Sequence, residues 1–184
     1  EMGELIMRKS SIGLTKSLWH DDKRYIDNYW SVIKDLWVHG DLASRDKDGH
    51  WYLHGRSDDT IKVSGKRIGP AELEGSIIRS GKVKEAAAVG IPDENKGSKI
   101  IIAIVALNKN DPEIKEEYFM DLIIKDLGRS FKPDKIIFVS DLPKTRNMKI
   151  MRRVIKTCLT NQDPGDISTL LNPESVEEIK THAI

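Results

Sequence analysis

Three stretches of this 184-residue chain hold side chains whose types and spacing could do chemistry. In Gly40 to Arg56 (GDLASRDKDGHWYLHGR), Asp41 follows a glycine, and a small carboxylate there can accept two hydrogen bonds from a vicinal diol such as a ribose. A turn-forming Gly-Asp explains the same dipeptide equally well. In Gly55 to Glu74 (GRSDDTIKVSGKRIGPAELE), Ser64-Gly65-Lys66-Arg67 reads as a hairpin tip. Its glycine lets backbone approach a ligand closely and its cations suit phosphate, although a plain turn accounts for the glycine too. Asp58-Asp59, just before it, reads as a polar loop at a junction. In Leu142 to Lys156 (LPKTRNMKIMRRVIK) charge is densest: from Asp141 to Lys156 six cations stand against one aspartate. Such a run reads as a nucleic-acid patch or a solvated face. Against the first option, no aromatic is interleaved with the cations for stacking.

Other chemistries are excluded by what is missing. The chain has no G-x-x-x-x-G-K-[ST], no H-E-x-x-H, no G-x-S-x-G and no dinucleotide fingerprint. No metal site is expected from its five histidines. A single cysteine, Cys158, rules out an intrachain disulfide and a cysteine-based zinc site, which fits a reducing, cytoplasmic setting. With 30 basic against 29 acidic side chains there is no global pull toward nucleic acid or an acidic membrane. The longest apolar run, Ile100 to Leu107, is far short of the ~18 residues of a membrane span. A charged fraction of 32% exceeds the common value of roughly 25% and suits a soluble, heat-tolerant surface. The opening EMGELIMRKSS is neither a signal nor a transit peptide. Glu4 to Met7 read as a strand already under way, so the chain is expected to be a piece of something longer.

The elements that position these stretches fall into two textures. All four tryptophans lie in the first 55 residues, among short strands, one helix near Lys23 to Ser31, and a hairpin at Asp48-Gly49. So many aromatics over so few residues need a partner surface. From Asp59 the pattern alternates. Thr60 to Ser64 and Lys66 to Ile68 form a hairpin, and Pro70 opens a helix that Gly81 ends. Strands follow at Glu85 to Ile91 and Lys99 to Leu107. Asp111-Pro112-Glu113 reads as a helix start with Asp111 as N-cap, and Tyr118, Leu122, Ile123 and Leu127 keep helical spacing to Gly128. Lys135 to Val139 is a strand, Ile150 to Leu159 a helix, and Asn172-Pro173-Glu174 caps a last helix ending near Lys180. The fold class is α+β.

Taken together, in this order and spacing, the three stretches resemble the C-terminal motifs of the AMP-forming acyl-CoA synthetases, within the adenylate-forming superfamily. The resemblance covers nearly the whole chain. It implies that residues 1–57 are the β-rich end of a larger N-terminal domain. Residues 58–184 would be a small ferredoxin-like lid with a three-stranded sheet and flanking helices. It implies ligation of acetate or another short carboxylate to CoA with ATP and Mg²⁺, the metal and most of the nucleotide being held by an N-terminal adenylation domain outside these residues. By the same resemblance Asp41, Arg56 and Arg67 contact ATP or AMP, Asp58 is a hinge, Ser64 and Gly65 line the CoA tunnel, and Lys149 is catalytic. Set on the α-phosphate, its ammonium would stabilise the oxygens as charge develops.

Two positions depart from the family pattern. Asn147-Met148 stands where Ser-Gly usually precedes the lysine. Ile124 stands where an arginine meets the CoA 3′-phosphate, with Lys125 and Arg129 nearby as substitutes. Alone, the chain is expected to turn over no substrate. The alternative is a non-catalytic α+β module whose basic loop binds RNA or a partner protein.

Overall fold

The computed structural model describes residues 2–108, 111–112 and 114–184. Backbone proximity divides the chain into two units, Glu1–Asp58 and Asp59–Ile184.

The first unit is an antiparallel sheet of β1 (Met2–Met7), β2 (Trp37–Arg45) and β3 (Trp51–Arg56), in that order, with one helix, α1 (Asp22–Tyr29). Asp21 caps α1 by accepting from the Arg24 N–H. The β2–β3 loop is longer than an Asp-Gly turn. Asp46 Oδ1 accepts from the N–H groups of Asp48 and His50, both at 2.9 Å, and Arg45 faces Trp51 across the strands. Few hydrophobic side chains are buried in this unit, among them Tyr25, Val38, Leu42 and Ala43, whereas Trp19 (90% exposed), Trp51 and Leu53 face outward.

The second unit is built on a three-stranded sheet of β6 (Val83–Asp93), β7 (Gly97–Ala106) and β8 (Lys135–Phe138). β6 and β7 run antiparallel and β7 and β8 parallel. Ile100 to Val105 of the central strand are all buried, because both faces of the sheet are covered. Side chains alternate between those faces. Ile101, Ala103, Val105, Ile137 and Val139 meet α4 (Arg152–Leu159) and α5 (Glu174–Lys180) on one side. Ile100, Ile102, Ile104 and Ile136 meet the opposite layer. That layer holds the hairpin β4 (Ile61–Val63) and β5 (Lys66–Ile68), with α2 (Pro70–Ile78) and α3 (Glu116–Leu127). Among the described residues no helix is long and apolar enough to cross a membrane.

Three departures from the sequence expectation have a visible cause. α3 starts at Glu116 rather than at Asp111-Pro112-Glu113, of which Glu113 lies outside the described residues. The Asp111 carboxylate forms an ion pair with Lys82 at 2.9 Å, and the Asp111 carbonyl closes a turn to Ile114 ahead of the helix. α4 starts at Arg152 because Ile150 is bridged to Lys144 and Met151 N–H donates to the Pro143 carbonyl. The Asn172 side chain turns away from α5, accepting from Lys144 N–H and donating to Asp141 and Leu142.

Candidate functional site

In the first unit Asp41 and Arg56 are cross-strand partners on β2 and β3. Arg56 Nη1 lies 3.6 Å from Asp41 Oδ1 and donates to the His39 carbonyl. Its Nε and Nη2 engage both oxygens of Asp58, at 3.1 and 3.3 Å. The structure therefore gathers three of the sequence-predicted residues at one end of the sheet. A fourth group, His39, has Nδ1 2.8 Å from Asp41 Oδ2 and carried no signal in the sequence. Gly40 explains how the guanidinium fits: a Cβ there would lie 2.7 Å from Arg56 Nη2. Its φ of +83° also suits glycine.

In the second unit Ser64 and Gly65 form a two-residue hairpin turn with φ of +49° and +80°, the pairing of a type I′ turn. Space beyond Gly65 is open, with no atom within 4 Å of where a Cβ would stand. The tip is pinned from behind. Ser64 N–H donates to the Lys96 carbonyl at 2.8 Å, and a Cβ on Gly97 would meet the Lys62 carbonyl oxygen at 2.9 Å. Lys66 donates to Ser130 Oγ, while exposed Arg67 faces Lys62 across the hairpin. Beside Ser64 opens a cleft of about 430 Å³ lined by Lys96, Arg129, Ser130, Lys132 and Asp134 among others. Lys96 pairs with Asp134 there; Arg129 and Lys132 are exposed. Of the two substitutes considered for Ile124, Arg129 lines this cleft, whereas Lys125 occupies the last turn of α3.

Lys149 ends a second, shorter hairpin. Thr145 N–H donates to the Lys149 carbonyl, Lys149 N–H to Thr145 Oγ1, and Met148 N–H to the Thr145 carbonyl. Met148 adopts a φ of +61°, the left-handed conformation at which three-residue hairpin loops favour glycine. The tip is exposed, Lys149 included, and among the described residues no carboxylate pairs with its ammonium. Its flanks turn inward: buried Leu142 and half-buried Ile150 and Met151 pack with α4 and α5 on one face of the sheet, opposite the layer that holds the Ser64-Gly65 hairpin.

The basic run has a different character from the one its composition implies. Lys144 is buried between Glu85 and Asp141, each at 2.7 Å. Burial works against its charge, yet the two carboxylates hold its pKa above the usual lysine value. For Asp141 burial likewise favours the neutral form, and the Lys144 ammonium outweighs it, keeping the carboxyl below the ordinary range. Arg152 makes a two-pronged contact with Glu74 on α2, whose Oε1 also accepts from the edge N–H of Ala88. Arg153 donates to the Pro164 and Asp166 carbonyls. Three of six cations are thus committed internally, and Arg146, Lys149 and Lys156 remain exposed. Cys158 is buried, and burial pushes its thiol pKa up, away from reactivity.

The architecture is that of the C-terminal part of the adenylate-forming enzymes. Over 98% of the chain it matches acetoacetyl-CoA synthetase from Streptomyces lividans with a TM-score of 0.84 at 22% identity, covering 28% of that chain. Over 85% it matches an amide bond synthetase from Marinactinospora thermotolerans, with a TM-score of 0.71 at 27% identity, covering 30% of it. Residues 72–149 match the family described as the AMP-binding enzyme C-terminal domain. The chain is 39% identical, over 96% of its length, to acetyl-coenzyme A synthetase of Methanothrix soehngenii. It is 41% identical over 97% of its length to that of Pyrobaculum arsenaticum. It spans about 27% of the length of either relative. The chain belongs to the adenylate-forming superfamily and corresponds to the C-terminal portion of its AMP-forming acyl-CoA synthetases.

Proposed function

We propose that the chain supplies the mobile lid and the nucleotide-binding end of an acyl-CoA synthetase that joins acetate or another short carboxylate to CoA. In the first step a carboxylate oxygen attacks the α-phosphorus of ATP and pyrophosphate leaves. In the second the CoA thiol, giving up its proton, attacks the acyl carbon and AMP leaves. Asp41 accepts the ribose hydroxyls, with Arg56 beside it and Arg67 adding a cation for the nucleotide. Lys149 neutralises the α-phosphate as two anions are brought together. Gly65, bare of a side chain, and Ser64 border the pantetheine path, and Asp58 is the hinge. The Mg²⁺ that accompanies ATP and the acyl pocket are assigned to an upstream adenylation domain.

The observation that carries this reading is the seating of the two hairpins on opposite faces of one sheet. A single rigid body then offers either the ammonium or the glycine tip, one orientation for each half-reaction. The RNA-binding alternative has less support, since half of the basic run is spent on internal bonds.

The test fuses the chain behind the adenylation domain of a related acetyl-CoA synthetase. Lys149→Ala should abolish acetate-dependent ATP–pyrophosphate exchange and spare thioester formation from supplied acetyl-adenylate, and Gly65→Leu should do the reverse. Equal loss of both halves in both variants overturns the assignment. The 184-residue chain without the fusion should release no pyrophosphate from ATP and acetate above background.

A further inference from the structure

We propose that Lys144 is the positioning residue of the Lys149 hairpin, its ammonium locking the foot of that hairpin to the edge of the sheet so that Lys149 projects as a rigid extension of it. The proposal rests on the catalytic reading of Lys149 given above.

Lys144 is 4% exposed, so it meets no substrate itself. Its Nζ joins Glu85 on edge strand β6 to Asp141 at the start of the loop, at 2.7 Å each. Its backbone is equally committed: Lys144 N–H donates to Asn172 Oδ1 at 3.0 Å, and its carbonyl accepts from Leu171 N–H at 2.8 Å. Asn172 closes the ring by donating to Asp141 Oδ2 and the Leu142 carbonyl, both at 2.8 Å. Beyond this foot the tip is held by local bonds among Thr145, Met148 and Lys149. A slip of one residue in this hairpin would turn its side chains to the other face, and the bonds at the foot oppose such a slip. The motif also offers two lysines five positions apart, and a buried site between two carboxylates accepts one ammonium. Filling it with Lys144 determines that Lys149 is the one left outside. Removing that ammonium leaves Glu85 and Asp141 facing each other unneutralised, which drives the foot off the sheet.

The experiment uses the fused enzyme, with Lys144→Met, Asp141→Asn and Lys149→Ala in parallel. Lys144→Met is expected to slow pyrophosphate exchange about 10- to 100-fold, the effect of displacing a reacting group by an ångström. The KM for ATP stays unchanged, and thioester formation from acetyl-adenylate stays within about 2-fold. Asp141→Asn should act in the same direction more weakly, and it carries the test if Lys144→Met does not fold. In the 184-residue chain, amide exchange at Thr145 and Lys149 should accelerate at least about 10-fold in either variant while β7 amides keep their protection, since only local opening changes. Equal loss in both half-reactions, no loss in either, or unchanged Thr145 and Lys149 exchange overturns the proposal. Retention of pyrophosphate exchange in Lys149→Ala would instead overturn the catalytic reading, and the amide measurement would still decide the role of Lys144.

Discussion

Arg56 grips both oxygens of Asp58, at 3.1 and 3.3 Å, while its remaining nitrogen stands 3.6 Å from Asp41. One guanidinium thus serves the proposed nucleotide carboxylate and the proposed hinge carboxylate together. The Asp58 contact is solvent-exposed, and exposed pairs contribute roughly 0–1 kcal/mol. Asp58→Asn should therefore shift stability by no more than about 0.5 kcal/mol in thermal melts. In the fused enzyme it should leave each half-reaction intact. Asp58→Pro fixes φ near −65° and should preserve one half-reaction while slowing the other at least about 10-fold. Equal effects on both halves would remove Asp58 from the hinge.

Met148 sits at a φ of +61°, where an L-residue costs roughly 1–2 kcal/mol and glycine nearly nothing sterically. Glycine gives part of that back as added chain entropy, about 0.5–1 kcal/mol. Met148→Gly should stabilise the chain by about 0.5–1 kcal/mol, raising Tm by roughly 1–4 °C for a protein of this size. Met148→Val, stiffer at the same φ, should destabilise it. Calorimetry on the two variants tests the turn geometry without reference to activity.

Stability should fall at both ends of the pH scale through the pair Asp141–Lys144. The folded pKa of Asp141 lies below its ordinary 3.8, so its contribution is present above that value and is lost as pH falls through the folded pKa. The folded pKa of Lys144 lies above its ordinary 10.5, so its contribution is complete below that value and is lost as pH rises through the folded pKa. Lys144→Met should lower Tm at neutral pH and flatten the decline on both flanks. An unaltered pH profile in that variant would mean that other groups control it.

Much of the second unit was legible in the sequence because local signals and packing agree there. The Ser64-Gly65 tip, the Pro70 helix start and the buried run of β7 each follow from residues adjacent in the chain. Several of the failures share one cause, a polar group claimed by a distant partner. Asp111 carries every local mark of an N-cap but is taken by Lys82. Asn172 does likewise and is taken by Lys144, 28 positions away. Lys144 itself looked like one more surface cation, since nothing in its neighbourhood signals Glu85, which arrives from β6. Asp41 and Arg56 were paired only through resemblance. Their cross-strand register supplies the geometric reason.

Where an arginine is expected for the CoA 3′-phosphate, the chain has Ile124, and the cleft beside Ser64 offers a replacement. Arg129 and Lys132 line it, exposed, and Lys66 reaches its rim through Ser130. The only acidic group lining it among the described residues, Asp134, is already paired with Lys96. A phosphate seated there would meet two cations with little opposing charge, and each charge-assisted contact is worth about 1.5–3 kcal/mol. Arg129→Glu with Lys132→Glu should therefore raise the KM for CoA in the fused enzyme at least about 10-fold, with pyrophosphate exchange unchanged. Dephospho-CoA isolates the phosphate. If the cleft holds it, the double variant should bind CoA and dephospho-CoA alike, whereas the unaltered protein prefers CoA and loses that preference as salt screens the cations. A preference that survives the double variant would place the phosphate elsewhere, with Lys125 the next cation to replace.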